Sequence, residues 1–217
     1  VAKKRKTSWK DVGRGSRRTG VRQPREVIDL IVEGETEKAY LQALLDHRYP
    51  GVFAPQWHRS GSAASRTSLK GLLDKARRAE REGRCQGVIW VVCDVDKNEV
   101  HRELLEKWRK DSPAHRSAFQ AVSIEGWILQ HLTKPSRPTS SGEALSLVSK
   151  QWEDYAKGRM IPAWLIEQTD EACRRESVFL DGARNDGVWP MDRSSQLPLF
   201  IAYLDEQARV RRQNPPG

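Results

Sequence analysis

Two mostly apolar runs, Val27–Val32 and Gly87–Cys93, constrain this chain more than any other feature. Each is about the length of a buried strand, and each is followed by a segment of helical pattern. Near-continuous apolar runs are what strands covered on both faces require, and strands alternating with helices form a parallel sheet. The expected elements are a strand at 27–32, a helix at 36–47, a short strand at 53–58 and a helix at 68–83. They continue with the strand at 87–93, a helix at 99–110, a strand at 118–123 and a short helix at 124–132. Helices are then expected over 142–156, 162–179 and 196–212. This is an α/β chain with a helical carboxyl-terminal extension. The expected organisation is a flexible basic arm at 1–25, an α/β core at 26–132 and helices at 133–217 packed on that core.

The net charge of +9 is unevenly distributed. Residues 1–25 hold ten Lys or Arg against the single acid Asp11, while the remaining 28 basic and 28 acidic residues cancel. A segment so composed repels itself and is expected to stay disordered until it meets a polyanion. Lys3, Lys4, Arg5, Lys6, Arg17, Arg18 and Arg22 are therefore candidate contacts to DNA or RNA phosphates. A solubilising tail is the alternative. No run of apolar residues is long enough to span a membrane, and no secretory signal is expected. Cys85, Cys93 and Cys173 follow no zinc-finger spacing and suggest a reducing, cytoplasmic setting. Cys93, ending an apolar run, is expected to be a buried, inert thiol.

In open parallel sheets, ligands bind beyond the carboxyl ends of the strands. The residues there are acidic. Glu33 follows the first strand; Asp94 and Asp96 follow the third. If those strands are neighbours, three carboxylates meet at one edge. Such a cluster needs a cation or a proton, and hard oxygen donors select Mg²⁺ or Mn²⁺. Gly34 would permit a sharp turn and a close phosphate approach, with the following helix start favouring an anion. Glu35 and Glu37 are expected to complement the helix dipole.

Ile31-Val32-Glu33-Gly34-Glu35-Thr36-Glu37 resembles the opening motif of Toprim domains, and Val91-Val92-Cys93-Asp94-Val95-Asp96 resembles their Asp-x-Asp motif. With the basic arm and the stretch Ile124-Glu125-Gly126-Trp127-Ile128-Leu129-Gln130-His131-Leu132, the chain resembles the RloB-like proteins associated with abortive infection and phage defence. The resemblance implies a Toprim-like, Rossmann-like sheet and Mg²⁺-dependent phosphodiester chemistry, with tRNA among the conceivable substrates. It implies that Asp94 and Asp96 hold metal, with Glu33 as ligand or general acid-base, and it lends interest to Glu125 and His131. Glu125 could equally be a first-turn acid after an N-cap Ser123, and His131 a satisfied core histidine. The family's Asn-Pro before this helix is replaced by Ala121-Val122-Ser123. Other readings are a non-catalytic nucleic-acid-binding module, a subunit docking a protein partner in a defence system, and a phosphodiesterase acting on a small nucleotide.

Overall fold

A computed structural model describes residues 24–58, 68–95, 99–177 and 195–213. Residues 1–23 of the basic arm and Asp96 lie outside the described residues. The elements are β1 (Glu26–Val32), α1 (Glu35–Arg48), β2 (Phe53–Trp57), α2 (Leu69–Arg81), β3 (Ile89–Val95), α3 (Glu99–Asp111) and β4 (His115–Ala121), followed by α4 (Ile124–Leu129), α5 (Ser141–Gln151), α6 (Ala163–Ile166), α7 (Thr169–Ser177) and α8 (Leu197–Gln213).

The four strands form one parallel sheet in the order β2-β1-β3-β4. The expected α/β class therefore holds: an all-parallel sheet flanked by helices, as in Toprim-like folds. Pro55, which cannot donate a ladder hydrogen bond, sits on the edge strand β2, where the loss is tolerated. The period of two along each strand splits the core. Ile28, Leu30, Trp90, Val92 and Ala118 face a large cluster built with α1, α4, α5, α6, α7 and α8. Ile31, Ile89, Val91, Cys93 and Phe119 face a smaller one built with α2 and α3. The residues after 132 thus share the main core with the sheet.

Several boundaries differ from the sequence pattern. β4 begins at His115, three residues earlier than its apolar stretch suggests. His115 is buried by stacking flat on Trp108, with ring centroids 3.4 Å apart, so an aromatic contact replaces aliphatic burial there. The helix expected to reach residue 156 stops at Gln151, because Trp152 adopts an extended conformation. The one expected over 162–179 is divided into α6 and α7; the Thr169 hydroxyl donates to the Ile166 carbonyl at 2.6 Å where they meet.

α8 is tied to the sheet through Trp90, 1% exposed, whose ring meets Phe200 edge-on at 4.9 Å and Tyr203 at 5.5 Å. Trp90→Ala would leave a cavity between sheet and helix, and is expected to cost about 3–5 kcal/mol in urea unfolding. A loss below about 1 kcal/mol would show that α8 packs independently of the sheet.

Candidate metal centre

The register places Val32 of β1 opposite Val92 of β3, and the Glu33 amide donates to the Val92 carbonyl at 3.2 Å. Glu33 and Asp94 are thereby brought to the same sheet edge, where the Asp94 amide donates to Glu33 Oε2 at 3.2 Å. Asp94 lies within β3, two residues after Val92, so its side chain projects toward the α1 and α4 face.

From that face come two further acids. Glu37, the third residue of α1, is 5% exposed, and Glu125, the second of α4, is 1% exposed. Glu33, Glu37, Asp94 and Glu125 line one cleft of about 300 Å³ with Gly34, Glu35, Thr36, Ile124, Lys157 and Gly158. Burial, and then the charges of Glu33 and Glu125, push the Glu37 carboxyl up to about 7. Burial, and then Glu37, Glu33 and Glu125, hold Asp94 well above the usual carboxylate range, opposed by the Ile124 backbone N–H. Asp94 Oδ1 is buried and has no hydrogen-bond partner among the described residues. A cation held there would give Asp94 Oδ1 a partner and neutralise the neighbouring carboxylates. All four donors are hard oxygens, so the residues fit Mg²⁺ or Mn²⁺.

The expectation that Glu37 serves the helix dipole misses its main environment. Gly34 shows why it can turn inward. Its φ of −135° is one any residue adopts, so the turn itself does not require glycine. A Cβ there would stand 2.8 Å from Glu37 Oε2, so the missing side chain is the space that carboxylate occupies. A Glu at the third helical position can fold back over the helix start, and this was the signal available in the sequence. Glu35, by contrast, is exposed and pairs with Lys38 at 3.8 Å.

Glu125 is held from the helical extension. Tyr155 donates its hydroxyl to Oε1 at 3.0 Å, and Lys157 Nζ lies 3.4 Å from the same oxygen. The Gly158 amide donates to Thr36 Oγ1 at 3.1 Å, closing this segment onto the start of α1. Gly158 has φ +73°, and a Cβ there would stand 3.1 Å from that of Glu35, so both conformation and space favour glycine. Tyr155, Lys157 and Gly158 carry no motif, and sequence reasoning did not single them out. Ser123 occupies the N-cap position of α4 without a side-chain cap bond, and Glu125 is the acid of the first turn, as the capping reading has it, while its carboxylate also lines the cleft. The chain enters α4 through Val122 at φ +96°, a strained conformation for a β-branched residue.

His131 lies elsewhere. It is 4% exposed, with Nε2 3.2 Å from the Tyr40 hydroxyl and Nδ1 3.1 Å from the Trp127 carbonyl. Burial drives its pKa down to about 4, and it packs edge-on against Trp127 and Tyr40. Of its two readings, these contacts are those of the core histidine. Trp127 is core as well, 1% exposed. Cys93 is buried beside the cleft with its thiol pushed well up, mainly by burial. Among the described residues no helix is long and apolar enough to cross a membrane.

Comparison with known proteins matches a family model described as RloB-like protein over residues 29–204. No curated protein and no solved structure matches the chain. The matched span begins inside β1, takes in the whole acidic cleft and its Tyr155–Gly158 wall, and ends inside α8, so the chain belongs to the RloB-like family.

Proposed function

We propose that this protein is a Mg²⁺- or Mn²⁺-dependent phosphodiesterase that cleaves DNA or RNA, serving in defence against phage. The observation that carries the reading is the convergence of Glu33, Glu37, Asp94 and Glu125 on one cleft, with Asp94 Oδ1 lacking a partner among the described residues. Glu33 and Asp94 would hold the ion, together with Asp96, the other acid of the Asp-x-Asp motif. When bound, a divalent cation supplies charge neutralisation and polarises a phosphoryl oxygen.

The protein's own residues divide the remaining work. Glu37 keeps its proton close to neutral pH and so can give or take one beside the reacting phosphate. Glu125 is fixed by Tyr155 and Lys157 rather than free to swing. Lys157, 57% exposed at the rim, offers a cation to an incoming phosphate. The basic arm would extend that attraction along a polynucleotide, which a small nucleotide would not need. Labelled tRNA, single-stranded DNA and duplex DNA are therefore the substrates to offer.

Cleavage of at least one of them should require Mg²⁺ or Mn²⁺ and fall at least ~100-fold in Asp94→Ala. Full activity in that variant, or none in wild type with either metal, would remove the enzymatic reading. Gly34→Ala should leave the melting temperature nearly unchanged, since only the end of a flexible side chain must move, yet weaken Mg²⁺ binding by displacing Glu37. Unaltered Mg²⁺ affinity in a folded Gly34→Ala protein would show that Glu37 does not shape the site.

The pH dependence has a definite sign. Glu37 titrates near 7 when folded and near 4.5 when unfolded. Between those values the folded state binds more protons, so the metal-free protein loses this contribution to stability as pH rises from 4.5 to about 7. Mg²⁺ competes with the same proton. The rise in melting temperature on adding Mg²⁺ should thus grow across that window and grow less steeply in Glu37→Gln, where only the Asp94 proton is left to compete. A rise that is constant with pH would separate Glu37 from metal binding.

A further inference from the structure

A second group of ligand-bearing side chains stands on the other face of the sheet. Asp29 lies on β1, four residues before Glu33; His58 follows β2; Cys85 lies between α2 and β3. One donor atom from each falls within 4.8 Å of both others. His58 Nε2 is 2.6 Å from Asp29 Oδ1 and 3.8 Å from Cys85 Sγ, so a single ring nitrogen faces both partners. Asp29 is fully buried and His58 8% exposed, while Cys85 is partly open. Asp29 Oδ2 is already occupied, accepting the backbone N–H of Gln86 at 2.9 Å and of Gly87 at 3.2 Å. That outer shell fixes the carboxylate and leaves Oδ1 as a one-oxygen ligand.

We propose that Asp29, His58 and Cys85 form a binding site for a zinc-class divalent cation, separate from the acidic cleft. The donor set is one thiolate, one imidazole and one carboxylate, which suits zinc and is unsuited to Mg²⁺. Tetrahedral zinc holds nitrogen and oxygen ligands roughly 3.3 Å apart and nitrogen and sulfur about 3.6 Å apart. The His58–Cys85 spacing of 3.8 Å is close to that already, and the 2.6 Å His58–Asp29 hydrogen bond has to open by roughly 0.7 Å. Binding exchanges the Cys85 thiol proton, released to solvent, for the metal–sulfur bond. Three protein donors leave the fourth position to water. The ion would join the edge strand β2, its neighbour β1 and the lead into β3.

A Cys–His nucleophile is the competing use of the same residues, and it requires an easily ionised thiol. Here burial, and then the charges of Asp29 and Glu80, push the Cys85 thiol up to about 11. A cation reverses that effect, since it compensates the carboxylate and stabilises the thiolate.

The test uses the full chain, reduced and stripped of metal, titrated with Co²⁺ in excess Mg²⁺ so that the hard-oxygen cleft is filled. One equivalent of Co²⁺ should produce a thiolate-to-cobalt charge-transfer band with the strong visible bands of four-coordinate cobalt, and Zn²⁺ should abolish both. The band should disappear in Cys85→Ser and His58→Asn and persist in Cys93→Ser and Cys173→Ser. One equivalent of Zn²⁺ should raise the melting temperature of the wild type but not of Cys85→Ser. Absence of the band in wild type, or its survival in Cys85→Ser, overturns the proposal. Because Cys85 is partly open, its serine variant is expected to fold and keeps the test decisive if the buried His58 variant does not. Activity of the acidic cleft enters none of these readouts, so this result stands or falls independently of the nuclease reading.

Discussion

The parallel pairing of β1 with β3 is the interaction on which the site depends. It sets Val32 opposite Val92, so that Glu33, one residue beyond Val32, and Asp94, two beyond Val92, share one sheet edge. A one-residue slip would turn Asp94 toward the α2 face and put Cys93 in its place. The apolar side chains on both faces oppose such a slip, because each strand would exchange its two sets of buried residues. The hydrophobic core thus sets the register, and the register concentrates negative charge where repulsion is unfavourable. Proton uptake by Glu37 and Asp94 relieves part of that repulsion, and hydrophobic burial across two helical layers offsets the rest.

Much of the fold was legible because it rests on short-range pattern. The runs 27–32 and 87–93, and the acids that follow them, are readable from period and order alone. What could not be read depends on contacts between distant residues. Glu37 looks like any first-turn acid until Gly34 is seen to leave room for its carboxylate. Tyr155 and Lys157 reach Glu125 from a segment 30 and more residues away, with no periodic or motif signal to mark them. His131, conspicuous in sequence, is occupied with Tyr40 and Trp127. The division at Thr169 is invisible to helical periodicity, because both pieces keep their apolar residues on the core side.

Residues beyond 132 therefore complete the site as well as the core. Lys157 and Tyr155 sit on the segment between α5 and α6, and α6 packs against α1, the helix that carries Glu37. Gly158 binds that segment to Thr36, directly beside the Glu33-Gly34 turn. The family match through residue 204 has this physical counterpart: the motif-bearing half provides the carboxylates, and the helical half covers and orients them.

The same sheet separates two kinds of donor by face and by height. Toward the α1 side, at the carboxyl end, four carboxylates gather with a cation at the rim, a set that favours hard ions and tolerates solvent. Toward the α2 side, a single buried carboxylate is fixed by two backbone amides and joined by a nitrogen and a sulfur, a softer and drier set. Cysteine spacing along the chain gives no hint of the latter, because its members are 29, 27 and 56 residues apart and meet only after β2 and β3 have paired on either side of β1. The sheet order that creates the acidic edge is thus also what assembles Asp29, His58 and Cys85, so both sites follow from placing β1 between its two neighbours.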